Sequence, residues 1–593
     1  GNIGIYNSNT TKKIDFDGTF KTYNDTGKTR DGIGIYSKGT VNINGKAEIK
    51  MQAGDTGNNV AVYSNGAGST VTLIRGKDSK IEINGNTTNL GIGLYSENGG
   101  KIVTDGTSLI EGLKIDMKNS ATAVVSVGAN SSVSTKYSTI SYDGNGYALY
   151  SDGQGKIDIS GAELTLKGKS TAFDVDLAAM SLPITLDNNT RITANSDDVI
   201  AFNLKGATGL TTVGGIEDSI KAKIATKLGG GISLSNLFDG STSTKYKVAA
   251  VDGGNIIIGN LDKTGISTDT APEKKDGFQF YNRFLGQRLV ATTNSGSTIS
   301  AKLNNSQAAN FNNQVVGLEM NSSKNAFAVT ETAIKLVNST IQAERTDSGT
   351  GAIGTFINYG QVDIDSTSKI EVEQTKNNAK AVGVYAVNGS QVSNKGTIEV
   401  GGDQSIGVLA MSYRLNGSDK VKDEFGTAAG QGNIKVENAT GSNITMSGKN
   451  AIGIFADNNK DSATADNDHL VINKGTVTVG KSDSGNAIAI YGNNATIKPE
   501  SGILKIGEKA IGIYAKDSIV GEDNKALGTV NYTADGGIGI YLKDDGNTSK
   551  TTLNGTALTL AESGGTWDEK VGILVDLAAD TTLKTKIEVG SLN

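Results

Sequence analysis

The chain has 593 residues, more than one compact core supports, so it must divide into domains or repeats. Glycine supplies 78 residues and proline only 3, with no Gly-X-Y period, which excludes collagen and argues against a disordered linker. With net charge −6, seven arginines and no cysteine, we expect no nucleic-acid partner, and a disulfide framework, a thiolate zinc site and a cysteine nucleophile are all excluded.

One hexad recurs along the chain: an apolar residue, Gly or Ala, a second apolar residue, an aromatic, then a small residue. It reads Ile3-Gly4-Ile5-Tyr6, Ile33-Gly34-Ile35-Tyr36, Val60-Ala61-Val62-Tyr63 and Ile92-Gly93-Leu94-Tyr95. Weaker copies centre on Ala123, Ala148, Ala172 and Ala201, and the pattern resumes at Gly317, Gly354, Gly383 and Gly407. Five more centre on Gly453, Ala489, Gly512, Gly539 and Gly572, making seventeen copies spaced by 23 to 46 residues, with one gap of 116 between Ala201 and Gly317. Period-two alternation predicts strands. Between hexads lie shorter runs such as Thr40-Val41-Asn42-Ile43 and Thr397-Ile398-Glu399-Val400, punctuated by turns at Asn44-Gly45, Asn84-Gly85, Asp152-Gly153 and Lys395-Gly396. One long strand, one or two short strands and tight turns per coil predict an all-β fold, a right-handed parallel β-helix over 1–204 and 301–593. The two apolar positions of each hexad are expected inside. The small residue between them is expected outside, beside an outward ladder of Tyr. That ladder either stacks sugar faces or covers bare glycines.

Residues 205–300 break the pattern and are expected to form an inserted small α/β excursion. Ile216, Ile220, Ile224 and Leu228 recur every four residues between glycine-rich ends, which predicts a short amphipathic helix. Next comes Phe278-Gln279-Phe280-Tyr281-Asn282-Arg283-Phe284-Leu285-Gly286-Gln287-Arg288, which concentrates aromatics and two of the seven arginines. Aromatics with arginine are the composition of interface hot spots, so Phe280, Tyr281, Arg283, Phe284 and Arg288 are the candidate partner-binding residues; a small internal core is the alternative. Longer hexad intervals near 411–450 and 457–485 predict two polar loop excursions.

Catalytic chemistry is sparse. The only histidine, His469, sits in an acidic run, and neither Ser348 nor Ser484 stands in a Gly-Asp-Ser-Gly context. Asp174 with Asp176 and Asp363 with Asp365 are i,i+2 pairs that a polysaccharide-active enzyme could use, though neither has a neighbouring Arg or His in sequence. The acidic 457–468 run matches no calcium-loop spacing. We therefore expect no catalytic residues, no cofactor and no metal. No stretch approaches 18 apolar residues, so no membrane-spanning helix is expected. The chain opens and closes in mid-pattern, which leads us to expect a segment of something longer.

The run Gly32-Ile33-Gly34-Ile35-Tyr36-Ser37 followed by Lys38-Gly39-Thr40-Val41, and Gly383-Val384-Tyr385-Ala386 with Asn394-Lys395-Gly396-Thr397-Ile398, resemble passengers of type V secretion autotransporters. More narrowly they resemble the very large fusobacterial outer-membrane adhesins, of the arginine-inhibitable and galactose-inhibitable kinds, and the 280–289 run resembles the same family. The resemblance implies a monomeric, non-catalytic rod at the bacterial cell surface, associated with virulence. Its partners would be a host cell-surface receptor, an immune receptor, a host glycan or the surface of partner bacteria. In that family a C-terminal barrel provides the membrane attachment. A pure spacer holding a distant tip is the alternative.

Overall fold

The structure, a computed structural model, describes residues 2–24, 32–52, 58–73, 78–85, 91–176, 184–187, 189–195, 199–205, 210–212, 247–264, 281–303, 315–322, 328–345, 351–374, 381–416, 419–421, 434–458, 470–483, 486–544 and 551–576. They fall into two compact units, one built mainly on Gly1–Ala207 and the other mainly on Gln279–Asn593.

Each unit is a parallel β-helix. In the first, the hexads form the strands Asn2–Asn7, Gly32–Ser37, Asn59–Asn65, Gly91–Glu97, Ala121–Val127, Tyr147–Ser151, Thr171–Asp176 and Ile200–Lys205. Each pairs in parallel with the next, like residue on like: Ile33 with Val60, Tyr36 with Tyr63, Ser37 with Ser64. A second sheet stacks seven short strands from Lys13–Phe16 to Ile184–Thr185, and a third stacks seven from Phe20–Asn24 to Arg191–Ala194. The second unit repeats the plan. Its hexad strands run from Val315–Asn321 to Val571–Asp576, and its third sheet stacks ten strands, of which Leu261–Thr264 is first and Thr559–Glu562 last. The fold follows from the spacing, because a parallel neighbour one coil on needs a connection longer than a hairpin, and two short strands with turns provide it.

The core lies between the three sheets of each unit. Ile35, Val62, Leu94, Val124, Leu149 and Phe173 form one fully buried column, and burial of each contributes about 1.5–3 kcal/mol before ordering entropy is subtracted. The strand does not alternate as expected. In Gly32–Ser37, residues Gly32, Gly34, Ile35 and Ser37 are buried while Ile33 and Tyr36 are half-buried. The third and fourth residues both turn inward, so the small residue faces the core and the first apolar residue faces out. At Gly407 an added Cβ would lie 2.6 Å from Ile444 Cγ2, a core side chain of the third sheet.

Polar columns run through the interior beside the apolar ones. Ser37, Ser64, Ser96, Ser126 and Ser151 lie last or next to last in successive hexad strands, all buried, and Ser96 Oγ donates to Ser126 Oγ at 2.9 Å. In the second unit Asn394 Nδ2 donates to Asn438 Oδ1 and Asn438 Nδ2 to Asn473 Oδ1, both at 2.8 Å. A like ladder joins Asn321, Asn358 and Asn388. Within each ladder one amide's donor meets the acceptor of the next coil's, and the Asn394 ladder ends at Asn473, whose buried Nδ2 has no partner.

Of the α/β excursion expected over 205–300, the described residues show strands alone. Lys247–Ile258, Leu261–Thr264, Tyr281–Thr293 and Thr298–Leu303 pair in parallel with neighbouring strands, and the helix expected over 216–228 lies outside the described residues. In the 411–450 interval, Arg414–Asn416 and Asp419–Val421 form an antiparallel pair, the one such pair among the described residues. In the 457–485 interval, Leu470–Asn473 and Thr476–Val479 are ordinary rungs; His469 and the acidic residues 461–468 lie outside the described residues.

Turns between coils are fastened by aspartates. Asp152 accepts from the N–H groups of Gly128, Gln154 and Gly155 at 2.8–3.0 Å. Asp187 does the same for Gly161, Asn189 and Thr190. Burial pushes both carboxyls up, but these donors outweigh it and hold them below the usual 3.8. A depressed folded pKa gives stability that is present above the unfolded value and lost as pH falls through the folded one. The melting midpoint of Asp152→Asn should therefore fall below that of the wild type at neutral pH, and the gap should close in acid below pH 3.8. A gap that stayed constant across that range would contradict the capping role.

Candidate functional site

The slip within each hexad leaves two side-chain columns on the outside of the hexad sheet: the first apolar residue and the aromatic. In the first unit Tyr6, Tyr36, Tyr63 and Tyr95 pack in order with ring centroids 5.3, 5.1 and 4.8 Å apart, the first and last pairs stacked and Tyr36–Tyr63 edge-to-face. Ile33, Val60 and Ile92 stand beside them, half-buried. The ladder ends on a carboxylate. Glu97 accepts from the hydroxyls of Tyr63 and Tyr95 and, at 2.9 Å, from Asn65 Nδ2. Burial, and after it the Glu97 hydrogen bond, pushes both phenols well above the ordinary range, so they remain neutral donors.

The second unit carries the same aromatic column, but there the first apolar residue is buried at Val316, Ile353, Val382, Ile488 and Ile511. Phe455, Tyr491, Tyr514 and Tyr541 pack at 4.6, 5.3 and 4.9 Å, the last pair edge-to-face, and Tyr541 donates to Asp576 Oδ2 at 3.0 Å. Val316, Ile353 and Val382 form a buried apolar cluster with Phe356, Tyr385, Ile406 and Leu409 packed against it. Val387, Met411 and Tyr413 form another, and the Tyr413 hydroxyl donates to Asp457, which also accepts from Asn493 Nδ2 at 2.7 Å. Burial and that bond to Asp457 push the Tyr413 phenol up.

The partner-binding residues expected from sequence fall on this same sheet. Tyr281–Thr293 pairs with Val315–Asn321, with Tyr281 opposite Val316, Arg283 opposite Glu319 and Phe284 opposite Met320. Glu319 in turn pairs with Phe356, and Phe356 with Tyr385, so Arg283 stands by backbone register in the aromatic column. The strand is a further hexad rung that sequence reading missed, as is Lys247–Asp252 on Ile200–Lys205. Asn282 stands by backbone register opposite Leu318, and a register shift between Tyr281 and Asn282 removes the small residue that marks the others. Phe280 lies outside the described residues.

Arg288 has a separate local role. Its φ of 52° places it in the left-handed region, as do Tyr359, Asn388, Asn494 and Asp517, each of which turns a hexad strand into the second sheet. Its backbone N–H donates to Thr332 Oγ1 at 2.7 Å, and its side chain is exposed. Arg288→Gly removes the Cβ penalty of this conformation and should raise stability by about 1 kcal/mol, read as a higher melting midpoint. An unchanged or lower midpoint would show that the arginine side chain contributes more than the backbone strain costs.

Asp363 and Asp365 do not assemble as an acid pair, and the side chain of Asp176 lies outside the described residues. Asp174 is fully buried and accepts from Asn203 Nδ2 on the next coil at 2.6 Å. Asp363 accepts from Gln361 Nε2 at 2.5 Å on the strand face, while Asp365 lies past the strand end and caps a turn through Asn338 N and Thr367 N. Among the described residues no group of three His, Cys, Asp or Glu is placed to hold a metal ion. No helix among them is long and apolar enough to cross a membrane. No known protein family, curated protein or solved structure matches the chain.

Proposed function

We propose that the chain is the adhesive passenger segment of a bacterial surface protein, attaching the cell to host glycans, host cell-surface receptors or other bacteria by contact without catalysis. The observation that supports this reading is the outward pair of columns on the hexad sheet. Aromatic and aliphatic side chains are held there at coil spacing on a rigid stack, the composition from which interface anchors are drawn. We place the contact on the strand where the aromatic column gives way to Arg283, with Tyr281 at the register position of the outward first residue; Phe280, Phe284 and Arg288 stay candidates from the sequence alone. Arginine among aromatics supplies both an apolar plane and a forked donor for carboxylates. Neither cofactor nor metal enters the contact. The site of action is the bacterial cell surface.

The purified chain should stain epithelial cells, lymphocytes or other bacteria in flow cytometry and release no reducing or unsaturated ends from a glycan panel. Release of such ends would replace the adhesive reading with an enzymatic one. Absence of staining on every cell type would favour a spacer.

A further inference from the structure

One pair of rings in the first unit's aromatic column is held differently from its neighbours. Tyr63 and Tyr95 are register partners on adjacent coils, with ring centroids 4.8 Å apart and planes 10° from parallel. Both hydroxyls donate to the same carboxylate, that of Glu97. Asn65 Nδ2 steadies the arrangement, donating at 2.9 Å to the Tyr63 hydroxyl and at 2.9 Å to Glu97 Oε1. Asn98 Nδ2 in turn donates to Asn65 Oδ1 at 3.1 Å. Tyr6 and Tyr36 also stack, at 5.3 Å, but no carboxylate accepts from their hydroxyls among the described residues.

A neutral phenol gives up an electron readily only when its proton leaves in the same step, because the cation left otherwise is a strong acid. A base already hydrogen-bonded to the hydroxyl therefore decides which tyrosines oxidise. Glu97 is that base for both rings, and, being half-buried, it hands the proton on to water. Two tyrosyl radicals held face to face join within the chain, since their fixed position replaces an encounter between molecules. Tyr63 and Tyr95 lie 32 residues apart, so a bond between their rings closes a loop of that length and constrains the unfolded chain. A chain without cysteine has no disulfide for that purpose.

We propose that Tyr63 and Tyr95 are an oxidative cross-linking site, where a one-electron oxidant, the haem of a peroxidase fed with hydrogen peroxide, couples them into dityrosine and fastens two coils covalently. Each ring gives one electron to the oxidant and its hydroxyl proton to Glu97. The two unpaired electrons form a carbon–carbon bond between the positions ortho to the oxygens. The hydrogens on those carbons then move, through water, to the oxygens and restore both phenols. Two tyrosines and one hydrogen peroxide become one dityrosine and two waters. Both rings are half-exposed, so electron transfer reaches them without opening the fold. The site does not depend on the contact proposed for the 281–293 strand.

The test treats the full chain with hydrogen peroxide and a peroxidase, then reads dityrosine fluorescence and the masses of tryptic peptides. Peptides 51–75 and 81–101, each holding a single tyrosine, should appear joined with the loss of two hydrogens. The joined fraction should not change when the chain is diluted. Linked chain should melt about 5 °C or more above the untreated chain. Glu97→Gln still accepts a hydrogen bond but cannot take the proton, so it should slow formation of this link about tenfold or more. Tyr95→Phe should abolish it. Dityrosine that joins other peptides in preference, that forms only between molecules, or that forms equally fast in Glu97→Gln overturns the proposal. A linked chain with an unchanged melting midpoint overturns the fastening of the coils.

Discussion

Gly407→Val is expected to destabilise the second unit by about 3 kcal/mol or more, at or beyond the upper end for overpacking a core. Gly407 is the small residue of the strand Ile406–Met411 and is buried. A Cβ there would lie 2.5 Å from the carbonyl oxygen of Gly453 on the next coil, 2.6 Å from Ile444 Cγ2 and 3.2 Å from Met446 Sδ. Two of these neighbours are core side chains and the third is backbone in the parallel ladder, so neither side can give way freely. Alanine fills the same position at Ala61, Ala123 and Ala489, all fully buried, which shows that a single methyl is tolerated where the adjacent coil adjusts. Gly407→Ala should therefore cost about 1 kcal/mol or less. Thermal melts followed by circular dichroism distinguish the cases. An outward glycine would leave valine nearly neutral; an inward one predicts a steep drop from alanine to valine.

Asn438→Ala is expected to cost about 3 kcal/mol, far more than its small volume change suggests. Asn438 is fully buried at the end of the strand Lys435–Asn438. Its Oδ1 accepts from Asn394 Nδ2 at 2.8 Å and from Ser442 Oγ at 2.7 Å, and its Nδ2 donates to Asn473 Oδ1 at 2.8 Å. Alanine would strip a partner from two neighbouring amides at once, in a region closed to water. Chemical unfolding of Asn438→Ala beside Asn443→Ala, whose side chain is exposed, measures this directly. Equal loss in the two variants would mean that the ladder carries no special stability.

The β-helix was legible because each coil repeats its own alternation. The hexads and short runs align like on like, so one reading of Ile33-Gly34-Ile35-Tyr36 serves the coils stacked on it. What misled was the strict period of two. It put both apolar residues inside and the glycine outside, whereas the strand slips at its centre and Gly34 and Ile35 both face in. No composition signal marks that slip; it is the ladder itself that passes from Ile33–Val60 to Ile35–Val62 without a pair at Gly34. The same reliance on the small residue hid the strand at Tyr281, where Asn282 interrupts the apolar run and the register shifts. The asparagine and serine columns could have been found, since Asn394, Asn438 and Asn473 each follow a β-branched or apolar run at its turn. A lone Asn before Lys-Gly reads as turn chemistry until its neighbours one coil away are known. The ion pair of Lys80 with Asp116 was illegible for the same reason. Its residues lie 36 apart in sequence and meet only because their coils stack.

Adhesion through the strand at Tyr281 is the central claim, and flow cytometry of two proteins tests it most directly. One is the intact chain. The other carries Tyr281→Ser and Arg283→Ser, checked first for an unchanged β-rich circular dichroism spectrum. The account predicts that the intact chain stains at least one of epithelial cells, lymphocytes or partner bacteria, and that the double variant binds about tenfold more weakly, as loss of interface anchors requires. Equal staining by the two proteins, or staining by neither, would contradict it.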